Sequence, residues 1–428
     1  MPAHPSWESA VDISTAQATR GAREASEDAQ LKVCFVSHSA GLAGAERSLL
    51  ELVEMLTQMG TECSVILPYK GPLFQELKSR GIYTTRVPFA WWMGSRSAIT
   101  PHRIRTRFLY PWIIFRVVRT LLNLLACPLI AAQIRLRQCD VVYTNTITIC
   151  VGAFAARLLR RPHVWHIREF GFEDFGLTFD LGERFSLRLV DQLSSIVLAN
   201  SQAVAAKFAP YFSPNKVQVV YGSVVVRHPD SKSDYTLPVP SGTSVRCVIV
   251  GSVSRGKGQE DAVLAAGELC RLRIQPVLWI VGTTSDQEYE RHLRRLVKDL
   301  GMETSVKFLG RMSNSFPAML QSDVILVCSR HEAFGRVTVE GMLAGKPVIG
   351  TRIGGTLELI QEGFNGLLYA PGDYGELARK IRYLHENPDE ADRMGKNGRD
   401  WAQARFSQTR LAQEILGTLR KALAEWYQ

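Results

Sequence analysis

From Leu77 through Cys139 the chain has no aspartate or glutamate, yet eleven cations fall inside that stretch: Lys78, Arg80, Arg86, Arg96, Arg103, Arg105, Arg107, Arg116, Arg119, Arg135 and Arg137. The formal net charge of the 428 residues is +10, so this one segment accounts for the whole excess and marks a surface for anionic partners. Its longest uncharged run, Thr120 to Ile134, contains Asn123, Pro128 and Gln133 and falls short of the ~20 residues that cross a bilayer, which argues against a membrane span. The eight cysteines are scattered and include no Cys-x-x-Cys pair, which argues against a zinc site or a disulfide framework and for buried thiols in a reducing, cytoplasmic compartment. Residues 1–30 lack the apolar core of a signal peptide and read as a flexible tail. No Asp-x-Asp pair calls for a bridging divalent metal, no metal ligands are assigned, and no repeat of solenoid length occurs.

What is present is a steady alternation of short apolar runs and helical periods, the pattern of doubly wound α/β sheets. It occurs twice. Residues 31–225 form a first Rossmann-like domain that carries a basic apolar insertion at 89–138, and residues 245–405 form a second. Residues 226–244, with three prolines and many small polar residues, read as the linker. Residues 406–428 are amphipathic. The insertion is compatible with two arrangements: a helix in the interface of an anionic membrane with its arginines on headgroups, or a core helix whose arginines are solvated.

The chemistry concentrates in Ser329 to Tyr369. Val324 to Cys328 reads as a buried strand, so Ser329 to Gly335 lies at its carboxyl end, where open α/β sheets hold ligands. A helix starting near Arg336 aims free amides at that loop and favours phosphate. Glu332 and Glu340 are poor phosphate ligands but good acceptors for sugar hydroxyls. Phosphate flanked by hydroxyl-rich rings describes a nucleotide sugar. After the first strand of the second half, Gly251-Ser252-Val253-Ser254-Arg255-Gly256-Lys257-Gly258 lets a backbone approach a ligand closely and offers two cations to a diphosphate.

The Glu332–Glu340 spacing, with Gly341, Gly345, Pro347, Gly354, Gly355 and Glu358 around it, resembles the E-x7-E signature of the family 4 retaining glycosyltransferases, whose GT-B fold sets two Rossmann-like domains face to face across a cleft. The resemblance implies a transfer of sugar from a nucleotide-diphosphate donor to an acceptor hydroxyl, in polysaccharide or lipid-linked glycan synthesis, with no cofactor. It implies Glu332, Lys257, Arg255 and His166 as the catalytic group. Donor-binding positions are then Glu340, Gly335, Phe334, Arg336, Gly251, Ser252 and Arg330. Gly41, Gly44 and Glu46, which resemble the family's glycine-rich start, and Glu169 face the acceptor. The family arginine of the Gly251 loop falls on Ser252, so Arg255 stands in for it. In GT-B proteins the last helix crosses back to the first domain, and 406–428 looks like it. The partners expected are a nucleotide sugar, a glycan or lipid-linked acceptor and an anionic membrane at its inner face, with no nucleic acid. A GT-B nucleotide-sugar epimerase and a basic nucleic-acid- or membrane-binding protein are the alternatives.

Overall fold

The structure, a computed structural model, describes residues 30–95, 109–226 and 237–428; the tail and parts of the insertion and linker lie outside the described residues. The first domain contains β1 (Lys32–Ser37), β2 (Glu62–Leu67), β3 (Tyr83–Arg86), β4 (Met93–Ser95), β5 (Val141–Asn145), β6 (His163–Ile167), β7 (Leu177–Phe179), β8 (Ile196–Ala199) and β9 (Val217–Val219). The second contains β10 (Val245–Val250), β11 (Pro276–Val281), β12 (Val306–Gly310), β13 (Val324–Val327), β14 (Val348–Thr351) and β15 (Gly366–Tyr369).

Seven strands of the first domain form a sheet in the order β3-β2-β1-β5-β6-β8-β9, and the second domain's six run β12-β11-β10-β13-β14-β15. Every pair in both sheets is parallel. Each order reverses direction beside its first strand, so a crevice opens at the carboxyl ends of β1 and β5 in one sheet and of β10 and β13 in the other. The strands read as near-continuous apolar runs because helices cover both faces. In β6, Val164 joins the core on one face while Trp165 and Ile167 join that on the other.

One pairing is absent from the strand alternation read in the sequence. Met93–Ser95 and Leu177–Phe179 make a small antiparallel ribbon outside the main sheet, which ties the insertion to the segment after β6. Among the described residues the insertion then holds one long helix, Leu109–Leu136.

The chain crosses between domains twice at one place. Val224 donates its amide to the Phe406 carbonyl at 3.0 Å, and Arg410 donates to the Tyr221 carbonyl at 2.6 Å. The final helix, Gln408–Trp426, buries Leu411, Ile415 and Leu419 in the first domain's core.

Candidate active site

The donor side is built from the two loops at the centre of the second sheet. After β10 the chain turns through a short 3-10 helix, Arg255–Lys257, and enters the helix Gln259–Arg271 at Gly258. Gly258 has φ +63°, and a Cβ there would sit 2.0 Å from the Cys328 carbonyl oxygen. Only glycine lets the two loops touch this closely. Gly354 meets a similar demand, since its Cβ would lie 2.4 Å from the Glu332 carbonyl that accepts the Gly355 amide at 2.7 Å.

This contact brings Lys257 to Glu332, with Nζ 2.8 Å from Oε2 and 3.4 Å from the Ser329 hydroxyl. Ser329 in turn donates to the same carboxylate oxygen at 2.9 Å. Burial works against the Lys257 charge, but the Glu332 carboxylate, helped by Asp174, outweighs it and raises the pKa of the ammonium. Lys257 is therefore a fixed cation at the mouth of β10 and β13.

Glu340 lies one face of a short helix away. Gly335, at φ +96°, opens the helix Arg336–Leu343, whose first amides have no acceptor within the helix. Arg336 Nε sits 3.0 Å from Glu340 Oε1, and its other arm reaches Glu51 Oε1 at 3.1 Å on the first domain's helix Gly44–Gln58. Burial raises the Glu340 pKa, and Arg336 only partly offsets that. Arg336 thus spans the cleft and holds the second glutamate of the motif.

One expected catalytic position, Arg255, and two expected donor-binding positions, Arg330 and Phe334, point elsewhere. Arg255 is 63% exposed at its side chain and lies 3.7 Å from Asp286 on the outer surface. A 3-10 helix has three residues per turn, so positions two apart diverge, and Lys257 takes the cleft while Arg255 takes the flank. The structure does not bring Arg255 to the Lys257–Glu332 pair. Arg330 donates to the buried Asp261 at 2.6 Å; the same carboxylate accepts the Gly372 amide at 3.0 Å and the Tyr369 hydroxyl at 3.1 Å. The Phe334 ring packs 5.7 Å from Phe406 and 6.4 Å from Tyr221, against the crossing point of the chain. Gly251 and Ser252 remain in the β10 loop, where the Ser252 carbonyl accepts from Gln259 at 2.9 Å.

The opposite wall comes from β1, β5 and β6. Glu46, on the helix that Gly44 begins, is 4% exposed and lies 3.4 Å from His38 Nε2. Burial lowers the His38 pKa, Glu46 pulls it up, and Arg168 pushes it down again. The Gly41 amide donates to the Ser39 hydroxyl at 3.0 Å and shapes the turn before Gly44. His166 is fully buried at the end of β6; its Nδ1 bonds the Tyr143 hydroxyl, and its Nε2 meets no protein partner. Burial, then the Arg168 charge, holds the ring's pKa well below the ordinary histidine range, so the imidazole is neutral. Glu169 is buried as well and accepts the Ile147 amide at 2.8 Å. Burial pushes its carboxyl up to about 7, and the Ile147 N–H only partly counters this.

Asp174 was not singled out in the sequence. It sits between two glycines of positive φ, Gly171 (+81°) and Gly176 (+62°), and accepts the Phe170 amide at 2.7 Å. Its pKa is raised, first by burial; it also feels Glu332, Lys257 and His331 from the other domain. The Gly-Phe-Glu-Asp-Phe-Gly run was the available signal: acids confined to a turn by two glycines. Glu51 gave none, since a charged residue on a helix face has the same pattern whether it meets water or another domain. Among the described residues no group of three or more His, Cys, Asp or Glu side chains could hold a metal ion.

Residues 240–401 match the family of glycosyl transferases group 1, and residues 42–227 match glycosyltransferase family 4. A glycosyltransferase of Methanocaldococcus jannaschii is 39% identical over 256 residues, 59% of this chain and 67% of that one. The chain belongs to glycosyltransferase family 4. Within this family it is 29% identical over 232 residues to N-acetyl-alpha-D-glucosaminyl L-malate synthase of Bacillus anthracis, which is 53% of this chain and 60% of that one. It is 30% identical over 148 residues to the lipopolysaccharide core biosynthesis glycosyltransferase LpsD of Rhizobium meliloti, 35% of this chain and 42% of that one. The chain thus spans less than two-thirds of the length of these last two relatives. Its fold is that of Anabaena HepE, solved in complex with UDP, with a TM-score of 0.71 and 25% identity over 91% of this chain and 100% of that one. HepE has also been solved with UDP-glucose. This family 4 chain therefore has the GT-B architecture, with Lys257, Glu332 and Glu340 on the second domain and His166 and Glu169 on the first.

The protonation of Glu169 makes a prediction about stability. Its folded pKa of about 7 lies above the ordinary value of 4.5, so the folded state holds the proton more tightly than the unfolded chain. The stabilisation is complete below pH 4.5 and is lost as pH rises through 7. Glu169→Gln, which keeps the shape without the titration, is expected to lose less stability than the parent between those values. Denaturant midpoints measured across that range check the sign.

Proposed function

We propose that this protein is a retaining glycosyltransferase that moves a sugar from a nucleoside-diphosphate sugar, UDP-linked, to a glycan hydroxyl. The observation that carries the reading is the Lys257–Glu332 pair at the carboxyl ends of β10 and β13, on whose lysine Asp174 of the first domain also acts. In the transfer, the bond from the anomeric carbon to the diphosphate oxygen breaks with its electron pair on the diphosphate. The acceptor oxygen bonds to the same face of that carbon, and its proton passes to the departing diphosphate. Lys257 and the free amides at Gly335 and Arg336 stabilise the charge that grows on the leaving group.

Glu332 and Glu340 are acceptors for sugar and ribose hydroxyls, the latter once Arg336 yields one of its bonds. In the tautomer in which Tyr143 donates to Nδ1, the His166 proton is on Nε2, the ring atom left without a protein partner and so the one to offer a sugar hydroxyl. The UDP and UDP-glucose complexes of HepE support uridine as the base. The lipopolysaccharide role of LpsD supports a glycan acceptor.

Thermal denaturation with UDP-, GDP- and ADP-sugars tests the donor assignment. A nucleotide at a hundredfold excess over its Kd stabilises by about 2.7 kcal/mol, on the order of 5 °C in Tm for a domain of this size. UDP-sugar is expected to give that shift and Glu340→Ala to remove at least half of it; an unaltered shift in the variant would refute the site. Product analysis separates the epimerase alternative, because UDP release that requires an added acceptor means transfer, whereas an isomerised sugar nucleotide without one means epimerisation.

A further inference from the structure

The helix Leu109–Leu136 is inside out. Arg116, Arg119 and Asn123 turn toward the protein and are engaged there. Arg119 pairs with Asp180 at 2.5 Å and donates to the Met93 carbonyl, Arg116 donates to the Phe179 carbonyl at 2.9 Å, and Asn123 accepts the Ala90 amide at 2.9 Å. Arg116 and Arg119 therefore lie neither in a solvated face nor on the outer side of this helix. From Ile114 to Ala132 every exposed side chain is apolar, led by Phe115 (65%), Leu124 (62%) and Leu125 (68%). That face runs for about 27 Å at the helical rise. The helix Val151–Leu158 packs alongside and extends the apolar surface with Phe154 and Leu158, while Arg135 and Arg157 are exposed on these two helices.

An apolar face of this size on a water-exposed helix calls for a cover. By length and hydropathy Ile114–Leu136 is able to cross a bilayer. Its inner side, however, is seated on the first domain through Ala126, Ile130, Ala131 and Ile134, which share a core with Val36 and Val142. Lipid therefore cannot surround it, but lipid can cover one side. A second copy on the same face would bring two acid-free, cationic segments together, which like-charge repulsion opposes. An anionic lipid surface suits both the apolar face and the charge.

We propose that the outer face of Leu109–Leu136 lies in the interfacial zone of an anionic phospholipid bilayer, with its aliphatic side chains below the headgroups and Arg135 and Arg157 among the phosphates. The Arg116 and Arg119 contacts tie the helix to Phe179 and Asp180, and this strand leads back through Gly176 to exposed Phe172 and Phe175 beside Asp174. Docking thus brings the first-domain wall of the cleft to the membrane, where the acceptor is a lipid-anchored glycan. That consequence rests on the transferase reading; the docking itself does not.

Co-sedimentation of the full chain with vesicles of phosphatidylcholine, alone or with about 30% phosphatidylglycerol, tests the surface. The wild type is expected to bind the anionic vesicles. Leu121→Gln/Leu125→Gln/Leu129→Gln, which alters only exposed side chains, is expected to reduce the bound fraction about tenfold, and Arg135→Glu/Arg157→Glu to abolish the preference for anionic lipid. UDP-induced thermal stabilisation is expected to be intact in both variants, which shows that they fold. Failure of the wild type to bind either vesicle, or equal binding by the triple variant, would overturn the proposal. So would a lipid-free dimer that the triple substitution dissociates, which assigns the face to a second copy. Vesicle binding without any nucleotide response would sink the transferase reading and leave the docking surface standing.

Discussion

Lys257→Ala is expected to lower kcat by about 10²–10³-fold, the range for removing one preorganised group that stabilises charge on a leaving oxygen. The geometry makes the loss double-sided. Nζ lies 2.8 Å from Glu332, and Asp174 acts on it from the other domain. Without the ammonium, those two carboxylates face an arriving diphosphate with their nearest compensating charge gone. The variant therefore weakens donor binding as well as turnover, and both parts respond to Glu332. Lys257→Ala/Glu332→Gln removes a negative charge along with the positive one. It is expected to recover much of the UDP-induced thermal shift while leaving kcat low, because it relieves the repulsion without replacing the cation. Arg255→Ala provides the contrast: its partners Asp286 and Glu288 lie on the outer flank, so its kcat stays within about threefold of the parent. Steady-state kinetics on the four proteins decide the matter. A kcat for Lys257→Ala close to the parent's would remove Lys257 from the transition state.

Those expectations separate what a linear sequence carries from what it does not. Glu332, Glu340 and Lys257 were legible because each is bound to a local device: a strand end, a helix start or a glycine turn whose spacing appears in the residues. The sheets were legible for the same reason, as apolar runs set between helical periods. The sense in which Arg255 points was not, since a two-residue offset decides a direction only once the turn is known to be 3-10. Pairs across the cleft were harder still. Arg336 and Glu51 are 285 positions apart, and neither helix face announces that it meets the other. The Leu109–Leu136 helix shows the limit most clearly. Its composition permits a solvated basic face or a basic membrane face, but the ribbon of Met93–Ser95 with Leu177–Phe179 places Asp180 where it draws Arg116 and Arg119 inward. The apolar side is left outside by that pairing.

Glu358 is expected to govern how tightly the domains close. It belongs to the second domain, on the turn Thr356–Leu359, but its partners lie at the start of the first domain's helix Gln202–Phe208 and at the crossing point. Oε2 accepts the Gln202 amide at 2.8 Å and the Tyr221 hydroxyl at 2.7 Å, and Oε1 accepts the Ala203 amide at 2.7 Å. Ser201 accepts the next amide, that of Val204, at 3.1 Å, so the helix start is satisfied half by its own cap and half by the other domain. A carboxylate on two free amides also meets the positive end of the helix dipole. In the open form water replaces these bonds, so the net preference for closure is only part of their gross strength, about 2 kcal/mol. At 1.4 kcal/mol per tenfold, Glu358→Ala shifts the equilibrium toward the open form by about 30-fold. If transfer requires the closed cleft, kcat/KM falls by up to that factor, least where the parent is mostly closed, and the radius of gyration in solution rises as the closed population is lost. Glu358→Gln keeps one carbonyl acceptor and falls between the two. Arg336 reinforces closure from the other side of the cleft through Glu51, so Glu358→Ala/Arg336→Ala opens the protein further than either change alone. An unaltered radius and kcat/KM in Glu358→Ala would mean that the cap stabilises the helix of one domain and has no part in bringing Lys257 to His166.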